Sequence, residues 1–248
     1  MMDEPFFVQL LAYIMIASGF ACFVLLGSGF RAGYGRYDST VKLEIPAKLA
    51  WLLQECPSFL IPTYYFLSCN SYDGRFVLML FIIHYAQRSI YYPIVVTSSK
   101  GSPLHIFFAA VLFCTYNGYM QGSWHALFFK STNFFSNPLT YIGTAVFFLG
   151  MIINIQSDSI LRNLRKPGEL GYKIPRGGLF EYVSGANYFG EIVEWLGFAL
   201  VARSLPSVAF AIFTISNIGP RAIQHHRYYL EKFEDYPKNR KAIIPFVY

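Results

Sequence analysis

Glu55 is the only acidic residue in "WLLQECPSFLIP" (residues 51–62), a run otherwise suited to lipid or to a protein interior. An ionised carboxylate in such surroundings costs several kcal/mol unless something pairs with it. Burial favours the neutral acid, which donates a hydrogen bond instead of carrying charge. A second polar group, "HYAQR", places His84, Tyr85 and Arg88 in another apolar run. A neutral carboxyl and a tyrosine hydroxyl converging on one carbonyl oxygen would form an electrophilic site that stabilises a developing oxyanion. Spacing alone does not bring Glu55 and Tyr85 together, and neutralisation of Glu55 by Arg88 is an equally open reading of the residues.

Three further stripes stand at helical spacing. Asn154, Asp158, Arg162 and Arg165 follow at steps of 4, 4 and 3; Asn187, Glu191 and Glu194 at steps of 4 and 3; Arg221, His225 and Tyr229 at steps of 4. Such steps put each set on one helix face. The loop "RKPGELGYKIPRGGLFEY" separates the first two stripes and is rich in Arg, Lys, Pro and Gly. Any one stripe could serve as structural ion pairs. Three of them beside a basic loop fit a large polar ligand, and a phosphate-bearing cofactor suits the mixture. Arg and Lys match phosphate, Asn reads amides, and carboxylates accept from ribose hydroxyls. No G-x-G-x-x-G follows a strand and no Walker sequence occurs, so a nucleotide would lie between helices. The Gly-rich "GSGFRAGYG" (27–35) is as well explained by a flexible loop. His225–His226 has no companion metal spacing and no Ser/His/Asp arrangement is legible, which sets aside metal and acyl-enzyme chemistry.

The elements that must carry these residues are membrane helices. The 248 residues are 54% hydrophobic, 19% aromatic and only 14% charged, against roughly 25% charged in an ordinary soluble domain. The formal charge of +6 is scattered and does not form a stripe with interleaved aromatics, which speaks against a nucleic-acid partner. Runs long enough to cross a bilayer fall at about 6–28, 45–68, 76–97, 104–129, 138–161, 184–202 and 205–222. With the N-terminus outside, the inward segments hold 16 of the 20 Lys and Arg, counting Lys48 at the edge of the second run. The expectation is an all-α integral membrane protein with seven transmembrane helices. Its C-terminus is cytosolic, 1–248 is a single domain, and 221–248 forms a basic, amphipathic tail. Acids precede the first apolar run where a signal peptide wants Lys or Arg, so that run reads as a retained helix. Cys22, Cys56, Cys69 and Cys114 lie in or beside apolar segments without metal spacing and read as packing residues.

At this point the chain resembles the steroid 5α-reductase family. "QECPSF" resembles its Q-E-x-P-S-F, "HYAQR" its H-Y-x-x-R, and two long stretches match closely: "GMIINIQSDSILRNLRKPGELGYKIPRGGLFEYVSGANYFGEIVEW" and "HHRYYLEKFEDYPKNRKAIIPF". The likeness is dense from about residue 50 onward and thin before it. It implies a multi-pass membrane enzyme, of a bacterial inner membrane or an endoplasmic reticulum membrane, that uses NADPH to reduce the Δ4 double bond of a 3-oxosteroid. By resemblance, Glu55 and Tyr85 grip the C3 carbonyl. Asn154, Asp158, Arg162, Arg165, Tyr172, Lys173, Asn187, Glu191, Arg221, His225 and Tyr229 fall to NADPH. Trp51, Phe113, Trp195, Phe210 and Phe213 line the steroid slot. Ala109, Asn217 and Lys173 stand where the family pattern has Arg, Phe and Arg. The implied partners are a steroid and membrane lipid, with no metal or nucleic acid, and the chain is expected as a monomer. A related reductase of enoyl-CoA or polyprenol remains an alternative. So does an isoprenylcysteine-type methyltransferase, although that class lacks the early Gln-Glu and His-Tyr elements. A small transporter would need polar residues along the whole bilayer path, whereas here they gather on one side.

Overall fold

The computed structural model describes residues 3–31, 43–96, 100–164 and 171–247. The described residues are almost wholly helical: α1 (Glu4–Gly27), α2 (Ala47–Ser68), α3 (Tyr72–Ala86), α4 (Tyr92–Val95), α5 (Leu104–Ser123), α6 (Pro138–Arg162), α7 (Ala186–Ala202) and α8 (Leu205–Lys232). A π-turn over Gln87–Tyr91 joins α3 to α4, so the two run on as one rod. Pro93 supplies the cause, since it has no N–H with which to continue the regular helical ladder. A second π-turn, Trp124–Phe128, extends α5. The only strands among the described residues are β1 (Glu44–Ile45) and β2 (Ser102–Pro103), an antiparallel pair that ties the entry of α2 to the entry of α5.

The helices start and stop where local chemistry directs them. Ser71 caps α3 through Gly74 N–H, and Asn137 caps α6 through Leu139 N–H at 2.9 Å. Ser204 and Ser207 form a reciprocal capping box at α8. Arg203, in left-handed backbone with φ 46°, turns the chain between α7 and α8.

All seven expected helical runs are present, with small shifts at their ends. Only two of them, Glu4–Gly27 and Pro138–Arg162, are long and apolar enough by composition to cross a membrane, among the described residues. The others carry polar groups turned inward, such as Gln54, His84, Asn117, Gln121 and Glu194, which are all buried. Their outward positions stay apolar: Leu67, Leu112 and Ile94 are about two-thirds exposed or more.

The run expected to span at 205–222 is part of a longer helix: α8 continues ten residues further to Lys232 and so carries the whole Arg221, His225 and Tyr229 stripe. The following segment folds back as a clasp on residues 175–185. Lys241 N–H donates to Tyr182 O, and Ser184 and Gly185 N–H donate to Lys241 and Ala242. Arg240, 1% exposed, donates to Pro175 O and to Glu181 Oε2. The Gly177 N–H bond, with Arg240 and Arg176 nearby, holds the Glu181 carboxyl below its ordinary range. Ser184 Oγ sits 2.6 Å from both His226 Nδ1 and Tyr236 Oη. Burial, with Lys241 nearby, keeps the His226 imidazole below its ordinary value of 6.5. Its contribution is therefore present above that value and declines as pH falls below it. Arg240→Leu should lower unfolding stability by about 2 kcal/mol, read as a lower melting temperature in detergent, with α6 and α7 still helical by circular dichroism.

Candidate functional site

The site begins with the packing of α6 on α7. A Cβ on Gly150 would lie 2.2 Å from Glu194 N, and one on Gly190 would lie 2.5 Å from Asn154 N. The two glycines thus let the backbones touch. Each abuts the polar residue one turn beyond the opposite glycine. Gly143 and Gly197, seven residues away on each helix, repeat the contact. This crossing brings two of the polar stripes together. Asn154 Nδ2 donates to Asn187 O at 3.0 Å, and the Asn187 side chain reaches Asp158.

Around this crossing, α2, α3, α5, α7 and α8 enclose a cavity of about 150 Å³. Its polar wall holds Glu55, His84, Tyr85, Arg88 and Glu191; its apolar wall is built on Phe113, Phe210 and Phe213. Phe113 and Phe213 stack with centroids 4.7 Å apart. Glu55 and Tyr85 thus reach one chamber from neighbouring helices. Tyr85 has Ser58, Cys114 and Glu55 as its polar neighbours. Cys114 Sγ donates to Glu55 Oε2 at 3.6 Å, and Ser58 Oγ donates to Cys114 O at 2.9 Å. The Cys114 side chain therefore occupies one carboxyl oxygen of Glu55.

Arg88 pairs with Asp158, Nη1 to Oδ2 at 3.0 Å, which answers the question of whether it binds Glu55. Its guanidinium also lies 4.7 Å from the ring centres of Trp51 and Tyr92. Trp51 therefore packs on Arg88 and is not part of the cavity wall. Trp195 is likewise one layer back, fully buried against Phe81, His84 and Phe210. His84 Nδ1 lies 2.7 Å from Glu194 Oε1, both side chains buried.

Of the residues expected to hold a cofactor, Asn154, Asp158, Asn187 and Glu191 meet at the α6–α7 crossing. His225 packs on Tyr188 with ring centres 5.4 Å apart, and Tyr172 packs on Tyr228 at 5.5 Å. Tyr229 stacks on Tyr236 at 5.2 Å and 3°, which anchors it to the clasp. Arg162 and Arg221 are half-buried on α6 and α8, and Lys173 is exposed before α7. Arg165 lies outside the described residues. Sequence reasoning passed over the His84–Glu194 pair, Cys114 and the four crossing glycines. The glycines had a legible signal in their seven-residue spacing; the pair and the thiol contact are long-range and had none.

Comparison with known proteins adds the family. The family model described as 3-oxo-5-alpha-steroid 4-dehydrogenase matches residues 100–248. The chain is 47% identical over 258 residues to the bovine (Bos taurus) 3-oxo-5-alpha-steroid 4-dehydrogenase 1, covering 98% of both chains. It is 45% identical to the human (Homo sapiens) type 1 enzyme, over 96% of this chain and 94% of that one. To the human type 2 enzyme it is 43% identical, over 94% of this chain and 96% of that one. These identities do not set the chain nearer to type 2 than to type 1. The match extends well past the half of the chain where the motifs are densest, and on that basis the chain belongs to the 3-oxo-5-alpha-steroid 4-dehydrogenase family.

Proposed function

We propose that the protein is an NADPH-dependent membrane enzyme that reduces the Δ4 double bond of 3-oxo-Δ4-steroids to the 5α-dihydro-3-oxo products. The observation that carries this reading is the meeting of Glu55 and Tyr85 in one aromatic-walled cavity beside the polar α6–α7 crossing. Seven spans, an outside N-terminus and a cytosolic C-terminus complete the proposal. The many large apolar side chains exposed on the helices, Leu67, Ile94 and Leu112 among them, support it.

Glu55 and Tyr85 hydrogen-bond the steroid C3 oxygen and draw electron density from the conjugated enone. With Oε2 of Glu55 engaged by Cys114, Oε1 is the oxygen left to meet the steroid. Charge that develops on the C3 oxygen is stabilised by these two donors, held in place before the reaction. The residues of the crossing suit a dinucleotide: amides at Asn154 and Asn187, carboxylates at Asp158 and Glu191, and cations at Arg162 and Arg221. NADPH, when bound, supplies the hydride that reaches C5 from the α face. Phe113, Phe210 and Phe213 exclude water from the reacting carbons. At about 150 Å³ the chamber is smaller than the roughly 300–1,000 Å³ of ligand pockets, so Phe113 and Phe213 separate to admit a steroid from the lipid side.

The test is purified protein with NADPH and testosterone or progesterone. Mass spectrometry should show a gain of two hydrogens, and labelled NADPH should place deuterium at C5. No turnover on any 3-oxo-Δ4-steroid would overturn the reading and direct the assay to enoyl-CoA or polyprenol substrates.

A further inference from the structure

Reduction of an enone leaves a second requirement, a proton at C4, and the Glu55–Tyr85 pair is already committed to the oxygen. We infer that His84 is the catalytic acid that protonates C4, with Glu194 as its positioning residue; this rests on the steroid-reductase reading above.

Of the other polar groups on the cavity wall, Thr214 and Asn217 offer only a hydroxyl and an amide, neither of them an acid strong enough to protonate carbon. Arg88 is bonded to Asp158 and stacked between Trp51 and Tyr92. The Cys114 thiol is turned to Glu55. Glu191 lies on the cofactor side, at the α6–α7 crossing. His84 remains, next to Tyr85 on α3, with ring centres 5.0 Å apart. A steroid held at C3 by Tyr85 places C4 one bond from the held carbon, within the neighbourhood of that ring.

The His84 ring is fixed for the task. Nδ1 is held by Glu194 Oε1 at 2.7 Å, which leaves Nε2 as the nitrogen available to the cavity that His84 lines. Trp195 packs on the imidazole at 4.5 Å between centres. Glu194 is 0% exposed, and its Oε2 has no hydrogen-bond partner among the described residues. A buried carboxyl with one oxygen on an imidazole and the other unpartnered has that imidazole as its one hydrogen-bond contact among the described residues and holds the ring in place. This is the carboxylate–imidazole arrangement by which a catalytic histidine is oriented elsewhere.

The step balances without another reactant. Once hydride has reached C5, the electron pair of the former double bond is an enolate over C4, C3 and oxygen. The Nε2–H bond breaks, its proton forms the new C4–H bond, and the C3 ketone is restored. The imidazole keeps the electron pair of the broken bond, and solvent later returns the proton.

The experiment runs wild type, His84→Asn and Glu194→Gln with NADPH and testosterone in D2O, quenched early. Deuterium at C4 is assigned to one or both faces by NMR, and NADPH binding is followed by fluorescence. Wild type should deuterate C4 on one face. His84→Asn should lose about 100-fold in kcat, keep its KM and NADPH binding, and distribute deuterium over both faces. Glu194→Gln, nearly isosteric at a buried position, should lose about tenfold and keep one face. Retention of kcat and of one face in His84→Asn would overturn the inference while leaving the reductase reading intact. Should His84→Asn fail to bind NADPH, an unaltered kcat in Glu194→Gln overturns it instead. Failure of the wild type to reduce any 3-oxo-Δ4-steroid overturns the reductase reading and this inference with it.

Discussion

Glu55→Gln should reduce kcat by roughly 100- to 1,000-fold, the range seen when one donor to a developing oxyanion is lost, while NADPH binding stays near wild type. The separation of effects follows from position. Glu55 is on α2, across the cavity from the α6–α7 crossing, and its hydrogen-bond partner is Cys114 on α5. The substitution therefore leaves Asn154, Asp158 and Asn187 in place. An amide keeps the shape of the acid but is a weaker donor and cannot lend a proton to the carbonyl oxygen. Steady-state kinetics with testosterone, beside a fluorescence titration with NADPH, checks both halves. Near-normal turnover would remove Glu55 from the mechanism.

Gly190→Ala should lower both stability and NADPH binding. Its new methyl would stand 2.5 Å from Asn154 N and 2.9 Å from Gly150 O, both backbone atoms that cannot swing aside. The helices must separate, at a cost of about 3 kcal/mol. Asn154 would then move away from Asn187 O, so NADPH affinity should fall with stability. Gly219→Ala is the control, since nothing lies within 4 Å of a Cβ there. Thermal melting and NADPH titration of both variants decide it. A Gly190→Ala protein as stable as wild type would show that the crossing tolerates separation.

The sequence announced its helices because each keeps an apolar outer face while its polar residues recur at three and four. For the same reason the stripes on α6 and α7 were legible as faces before anything was known of their packing. The end of α8 was not legible in hydropathy. Beyond 222 the residues become charged while the helical period continues, through His225 and Tyr229, to Lys232. Nor could spacing reveal pairs such as Arg88 with Asp158, 70 residues apart, or His84 with Glu194, 110 apart. A buried charge states that it needs a partner but not which one. The Glu55–Tyr85 pairing came from the family resemblance and not from the residues; their presence in one cavity is the structural counterpart of that expectation.

The π-turn at Gln87–Tyr91 bears on how this rod tolerates change in its length. A π-turn is an α-helix carrying one surplus residue, and each helical residue advances the rotation by about 100°. Deleting one residue between 88 and Pro93 would absorb the surplus and regularise the helix. The insertion is thus reversible without breaking α3, and His84, Tyr85 and Arg88 would keep their faces. Tyr92 would keep its place over the guanidinium of Arg88, because the flanking residues of a π-turn already hold the register of an α-helix one residue shorter. The surplus residue is therefore taken up inside the π-turn itself, and the seat of Arg88 is the same on either length of chain.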